Sequence, residues 1–122
     1  MRRETLYLSD IIEAADHIAA FIAGFDFERF QESELVRSAV VQKLAVIGEA
    51  AGRISPGLQG REPHVPWPQI VAFRNILVHA YFGIDWNEVW TSATDRCPTL
   101  RAQIAQILAM ESARPEDESG SI

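Results

Sequence analysis

Residues 73–81 read FRNILVHAY. Four polar side chains stand in this otherwise apolar run: Arg74, Asn75, His79 and Tyr81. They are a fixed cation, an amide, a group that titrates near neutrality, and a phenol. Together they are reagents for phosphoryl transfer. A histidine within hydrogen-bond reach of a ribose 2′-OH can take its proton or give one to a leaving 5′ oxygen. An arginine can neutralise charge growing on the phosphoryl oxygens. Asn75 can hold the imidazole or the phosphate, and Tyr81 can stack on a base or donate a hydrogen bond. This set suits metal-independent RNA cleavage, in which the 2′-OH attacks its own neighbouring phosphorus. The products would carry a 2′,3′-cyclic phosphate and a 5′-OH.

Helical geometry limits that chemistry. At about 100° per residue, Asn75 and His79 point the same way, and Arg74 shares another direction with Tyr81. Arg74 and His79, five apart, diverge by about 140°. One regular helix therefore does not pair them. A swing of the arginine stem, local unwinding near residues 79–81, or a two-fold axis along the helix would bring such groups together. The spacing by itself favours packing over chemistry, because Arg-x4-His arises by chance and a lone helical histidine is commonly structural.

The elements that must position this run show in the apolar periodicity. Residues 5–23 read as a helix with Leu8, Ile11, Ala15, Ile18 and Ile22 on one face, stopped by Gly24. Asp26 would cap a short turn whose Phe25, Phe27 and Phe30 plug one end of the core. A second long helix, residues 33–54, carries Val36, Val40, Leu44, Ile47, Ala51 and Ile54, with Ser33 as its cap. Ala45, Gly48, Ala50, Ala51 and Gly52 make part of it slim enough for a neighbouring helix to come close. Glu49 lies there, either as a solvated carboxylate or as a support for Arg74. Residues 55–68 read as a loop, broken by prolines and glycines. Arg53 and Arg61, with His64, could form a basic rim for RNA or could be scattered surface charges. Trp67 and Pro68 start the central helix, predicted to run to Tyr81 with Ile70, Phe73, Leu77 and Ala80 inward. Asp85 and Glu88 resemble a capping box opening the next helix. Val89, Trp90 and Ala93 face inward there, Pro98 interrupts or kinks it, and a last helix carries Leu100, Ile104, Ile107 and Leu108. Without strand-like alternation, the expectation is an all-α bundle of four to five helices.

At 122 residues the chain suits one domain with one core. The expected division is a helical domain over residues 1–111 and an acidic tail without structure over residues 112–122. The net charge of −6 counts against broad non-specific nucleic-acid binding, so an RNA site must be a local positive pocket. Cys97 is the lone cysteine and His17, His64 and His79 are scattered, so no metal site and no cofactor is expected. Glu4 and Asp10 interrupt the N-terminus before any long apolar run, and no run approaches a membrane span. A cytoplasmic protein without membrane partners is the expectation.

RNILVHAY also fits the R-x4-H-x-Y motif of the HEPN superfamily, and specifically resembles the HepT-like toxins. AVIGEAAGRIS, VPWPQIVAFRNILVHAYFGID and the following VW are similar to that family in order and spacing, from about Leu6 to Leu108. The resemblance implies an all-α HEPN bundle that forms a homodimer, with the two motif helices facing a shared cleft. It implies a ribonuclease toxin of a type VII toxin–antitoxin system, with RNA as substrate. Its partner, in a dimer or a larger toxin–antitoxin complex, would be a MntA-like nucleotidyltransferase antitoxin that transfers AMP from ATP to the motif tyrosine. By position, Arg74 and His79 are the catalytic pair, Asn75 the polar residue after the arginine, and Tyr81 the modification target. Some HEPN proteins serve instead as non-catalytic binding partners of nucleotidyltransferases, which is the alternative reading.

Overall fold

A computed structural model describes residues 2–113, and the described part is made of helices joined by short turns, with no strand. Helix α1 (Arg2–Phe21) begins before the expected start. It buries Leu8, Ile11, Ala14, Ala15 and Ile18 in the core. Its Glu4 is buried and accepts from the backbone N–H of Ser55 at 3.2 and 3.3 Å, which ties the start of α1 to the segment after the second long helix. The turn that follows α1 needs glycine, because Gly24 has φ 80°, in the left-handed region.

Asp26 caps α2 (Phe27–Glu32) by accepting from the N–H of Arg29 at 2.8 Å. Of the three phenylalanines expected to plug the core, Phe30 is fully buried and Phe27 packs partly against it. Phe25 lies instead beneath the Arg29 guanidinium, 4.7 Å from its ring centre. Helix α3 (Glu34–Arg53) is capped by Ser33, whose hydroxyl accepts from the N–H of Val36.

The proline- and glycine-rich stretch after it is not all loop. Pro56 to Arg61 form a short helix, α4 (Pro56–Arg61), capped by Ser55. A proline at the first helical position loses no hydrogen bond, since that N–H has no helical partner, so here it opens a helix rather than breaking one. Leu58 anchors α4 in the core.

Helix α5 (Trp67–His79) carries the chemical residues and packs along α3. Beyond it, Asp85 caps α6 (Trp86–Thr91) by accepting from the N–H of Asn87, while Glu88 reaches forward to pair with Arg96 at 2.7 Å. The chain stays helical from α6 into α7 (Cys97–Ala113) through a π turn at Ser92–Arg96. Pro98 has no N–H to give and its ring crowds the preceding turn. The wider π turn just before it, closed by the N–H of Cys97 on the carbonyl of Ser92, is where that irregularity is absorbed. Helix α7 runs past the expected domain edge to Ala113, and the rest of the expected tail, residues 114–122, lies outside the described residues. Helices α1, α3, α5 and α7 form the bundle, with α1 between α3 and α7. No helix among the described residues is long and apolar enough to cross a membrane.

The tightest point is the α3–α5 crossing. A Cβ on Gly48 would stand 2.2 Å from Cβ of Arg74 and 3.3 Å from the carbonyl oxygen of Ile70. On Gly52, one turn on, it would meet Val71 at an ordinary 3.6 Å. Alanine normally favours a helix over glycine by about 1 kcal/mol. Gly52→Ala should therefore leave the denaturant midpoint unchanged or raise it. Gly48→Ala should lower stability by about 1–3 kcal/mol, the usual cost of overpacking. Equal effects of the two substitutions in a urea titration would contradict the crossing described here.

Candidate active site

Helix α5 is held at its start by Trp67, which is buried and donates its indole N–H to the carbonyl of Glu62 at 3.0 Å. Leu77 is its other buried anchor, with Ile70, Val71 and Phe73 packed against the core from partly exposed positions. Arg74 lies on this packed side. Its stem passes over Gly48, and its side chain is 31% exposed. The guanidinium forms an ion pair with Glu49 at 2.9 Å and donates to Oδ1 of Asn75 at 3.0 Å.

Glu49 serves two arginines. Its Oε1 faces Arg74, and its Oε2 accepts from Nε and Nη2 of Arg53 at 3.1 and 2.9 Å. The hydrogen bonds from Arg53, followed by the charges of Arg74 and Arg53, hold the Glu49 carboxyl below the ordinary glutamate range. Arg53 is raised in turn, first by Glu49 and then by a hydrogen bond with Tyr7. Tyr7, Asp10, Glu49, Arg53 and Arg74 line a groove of about 370 Å³ between α1, α3 and α5. Tyr7 was not expected there. Its only signal in the sequence is an aromatic ring placed off the apolar stripe of α1.

His79 is the last residue of α5, and Ala80 leaves helical geometry at φ −129°, ψ 43°. The helix thus stops two residues before the predicted end, and Ala80 is exposed rather than part of the buried stripe. A 3₁₀ turn, Tyr81–Gly83, follows. His79 is exposed on the outward side of α5, on the same stripe as the exposed Asn75 and Ile76. Tyr81, outside the helix, no longer shares a direction with Arg74 as a regular helix would require. It is 43% exposed and meets the rings of Phe82 and Trp86 edge-on.

The structure therefore gathers Arg74, Asn75, Glu49 and Arg53, and sets His79 at the exposed end of α5 and Tyr81 on the 3₁₀ turn beyond it. Arg61 is not in this group: it stands on α4, 3.2 Å from the carboxylate of Glu111, and does not line the groove. His64 lies 3.7 Å from Glu62. Among the described residues, no three His, Cys, Asp or Glu side chains gather as metal ligands. A larger, mostly apolar pocket of about 690 Å³ lies across α5, between α3 and the start of α7, and includes Phe73, Cys97 and Leu100. Burial pushes the Cys97 thiol up to about 12, so it stays protonated at neutral pH and is no nucleophile.

The sequence matches the family described as Ribonuclease HepT-like over residues 11–107. A Methanocaldococcus jannaschii protein named as a candidate RNase is 35% identical over 98 residues, covering 80% of this chain and 90% of its own. A Thermococcus cleftensis protein named as a probable ribonuclease HepT is 33% identical over 101 residues, 83% of this chain and 92% of its own. A third, from Caldanaerobacter subterraneus subsp. tengcongensis and also named as a candidate RNase, is 29% identical over 111 residues and spans 91% of this chain and 99% of its own. No solved structure gives a significant match.

A carboxylate whose folded pKa is depressed stabilises the fold above its unfolded value, and that contribution is lost as pH falls through the folded one. The Glu49 bridge should thus persist through neutral and mildly acid pH. In an NMR titration, Glu49 should protonate at lower pH than an isolated glutamate. Arg53→Gln should move its midpoint up further than Arg74→Gln does, because Arg53 supplies the hydrogen bonds. The opposite order would show that Arg74 holds the carboxylate.

Proposed function

The chain belongs to the HepT-like ribonuclease family, and from that premise we propose that it cuts RNA through Arg74 and His79 at a cleft shared by two copies. The observation that carries this reading is the placement of those two residues on α5. Arg74 leaves the helix on its packed side, fixed by Glu49, while His79 ends the helix in solvent. They are separated by about 7.5 Å along the axis and about 140° around it. A two-fold axis beside α5 supplies what one chain lacks, an imidazole from each copy and a guanidinium on each side of one phosphodiester. The exposed Ile76 and Val78 give that contact an apolar surface.

The ribose 2′ oxygen attacks phosphorus as one imidazole takes its proton. The bond to the 5′ oxygen breaks, and the second imidazole gives that oxygen a proton. Arg74 faces the phosphoryl oxygens as charge builds there, and Asn75 and Glu49 keep its fork in place. Arg53 supplies a second guanidinium to the groove, beside the carboxylates of Glu49 and Asp10. The products are a 2′,3′-cyclic phosphate and a 5′-OH, and no metal ion takes part.

The same reading makes the protein the toxin of a type VII toxin–antitoxin pair. A MntA-like nucleotidyltransferase antitoxin transfers AMP from ATP to the Tyr81 phenol, with release of pyrophosphate. Tyr81 suits this role because it stands exposed on the 3₁₀ turn, two residues from His79. The added AMP places negative charge and an adenosine at the mouth of a site that must admit an RNA phosphate.

Cleavage of total RNA by the purified protein should resist EDTA and yield cyclic phosphate ends. His79→Ala should lower the rate at least about 100-fold, the usual share of a general acid–base group. No cleavage by protein shown by intact mass to be free of AMP would favour the non-catalytic binding module instead. Tyr81→Phe should keep cleavage yet show no mass gain with antitoxin and ATP. A gain of AMP by that variant would place the modification elsewhere.

A further inference from the structure

Phe82 is exposed to the extent of 103%, more than any other large apolar side chain described. Its only described ring neighbour is Tyr81, centroid to centroid 5.8 Å and inclined at 79°. The contacts continue inward. Tyr81 meets Trp86 at 6.4 Å and 85°, and Trp86 meets Phe30 at 6.2 Å and 70°. Phe30 is wholly buried in the core. The Arg37 guanidinium lies over Trp86, 5.2 Å from its ring centre. Four aromatic rings thus form an edge-to-face column from the interior to solvent, and edge-to-face contact is a favoured geometry for such pairs.

The column is braced at its inner end and open at its outer one. Phe82 lies in a three-residue 3₁₀ turn, three residues after His79, and is not part of the core. A ring that contributes no burial to the fold can gain by contact with something outside it. At this position, beside groups suited to a phosphodiester, the chemistry of that contact is an unpaired nucleobase, whose flat face stacks on any aromatic ring.

We propose that Phe82, held out by Tyr81 and Trp86, is a stacking platform for an unpaired base next to the scissile phosphate, so that the substrate is single-stranded RNA. A base within a duplex already has both faces covered and cannot use the platform without unstacking. The platform tolerates any base, because stacking reads no hydrogen-bond pattern. It also explains why AMP on Tyr81 would be disruptive beyond its charge: the adenine is delivered within reach of the surface meant for the substrate's base. This inference rests on the ribonuclease reading.

The test compares steady-state cleavage of one single-stranded oligonucleotide by the wild type, Phe82→Ala and Phe82→Trp. Phe82→Ala should raise KM about five- to 150-fold, the equivalent of the about 1–3 kcal/mol that a base–aromatic stack contributes. Its kcat should change little, and Phe82→Trp should restore KM. An abasic nucleotide beside the cut linkage should erase the difference between wild type and Phe82→Ala. Unchanged KM in a cleaving Phe82→Ala protein overturns the platform and leaves the ribonuclease reading standing. So does conversion of a dimer to a monomer by Phe82→Ala in sedimentation, which would make Phe82 a contact between copies. Should the wild type cleave nothing, the ribonuclease reading fails by itself. Fluorescence anisotropy with a 2′-O-methyl oligonucleotide then decides the platform: weaker binding to Phe82→Ala supports it, and equal binding overturns it.

Discussion

At Gly48 the backbone of α3 comes so near α5 that the only side chain the site tolerates is a hydrogen atom. The residue it admits is Arg74, which lies on the packed side of α5 and not among the solvent-facing positions where an arginine is usually found. Its position follows from packing. The stem is confined by the crossing, so the guanidinium emerges at one place along α3, and Glu49, the next residue after Gly48, is there to meet it. A lysine in the same slot would present a single rotatable point charge. The planar fork of arginine can keep an ion pair and the bond to Asn75 and still offer N–H groups to a phosphate.

The charge balance of the groove follows from the same contact. One carboxylate faces two guanidiniums in the cluster of Glu49, Arg53 and Arg74, and Asp10 also lines the groove, so two cations and two carboxylates balance there while the chain carries −6. Other arginines are closely matched: Arg61 with Glu111, Arg96 with Glu88, Arg101 with Asp16. A polyanion approaching this acidic protein would be repelled less at this formally neutral groove, with its partly exposed guanidiniums, than over the rest of the surface. The arrangement favours selectivity over tight general binding, since most phosphate affinity comes from many dispersed basic contacts. A phosphate bound at Arg74 would compete with Glu49 for the guanidinium.

Much of the bundle was legible because burial is periodic. The stripes of α1, α3 and α7 and the caps at Ser33, Asp26 and Asp85 lie where residue spacing and short polar side chains indicate. The slim section of α3 was legible too, since small residues have few other reasons to gather. Other features depended on tertiary contacts that a linear pattern does not carry. Helix α4 was hidden because proline opens helices as readily as it breaks them, and only Ser55 and the buried Leu58 decide which. The end of α5 was misplaced because Ala80 and Tyr81 carry no local stop signal, and the first glycine is Gly83. The aromatic column was invisible because its members, Phe30, Tyr81, Phe82 and Trp86, come from three separate elements.

The break at Ala80 separates the surroundings of Tyr81 from those of Arg74. Had α5 continued to Tyr81 as a regular helix, the tyrosine would stand over Arg74, on the side of the bundle, at seven residues' separation. Ending the helix at His79 instead leaves the imidazole in the last turn and carries Tyr81 away on a 3₁₀ turn, against Trp86. The cation stays in the groove, the imidazole stands exposed at the end of the helix, and the phenol is offered to solvent on a separate element. A group attached to that phenol would leave undisturbed the crossing that fixes Arg74. Inhibition by modification would then be compatible with an intact and refoldable site, which is the property a reversible switch requires.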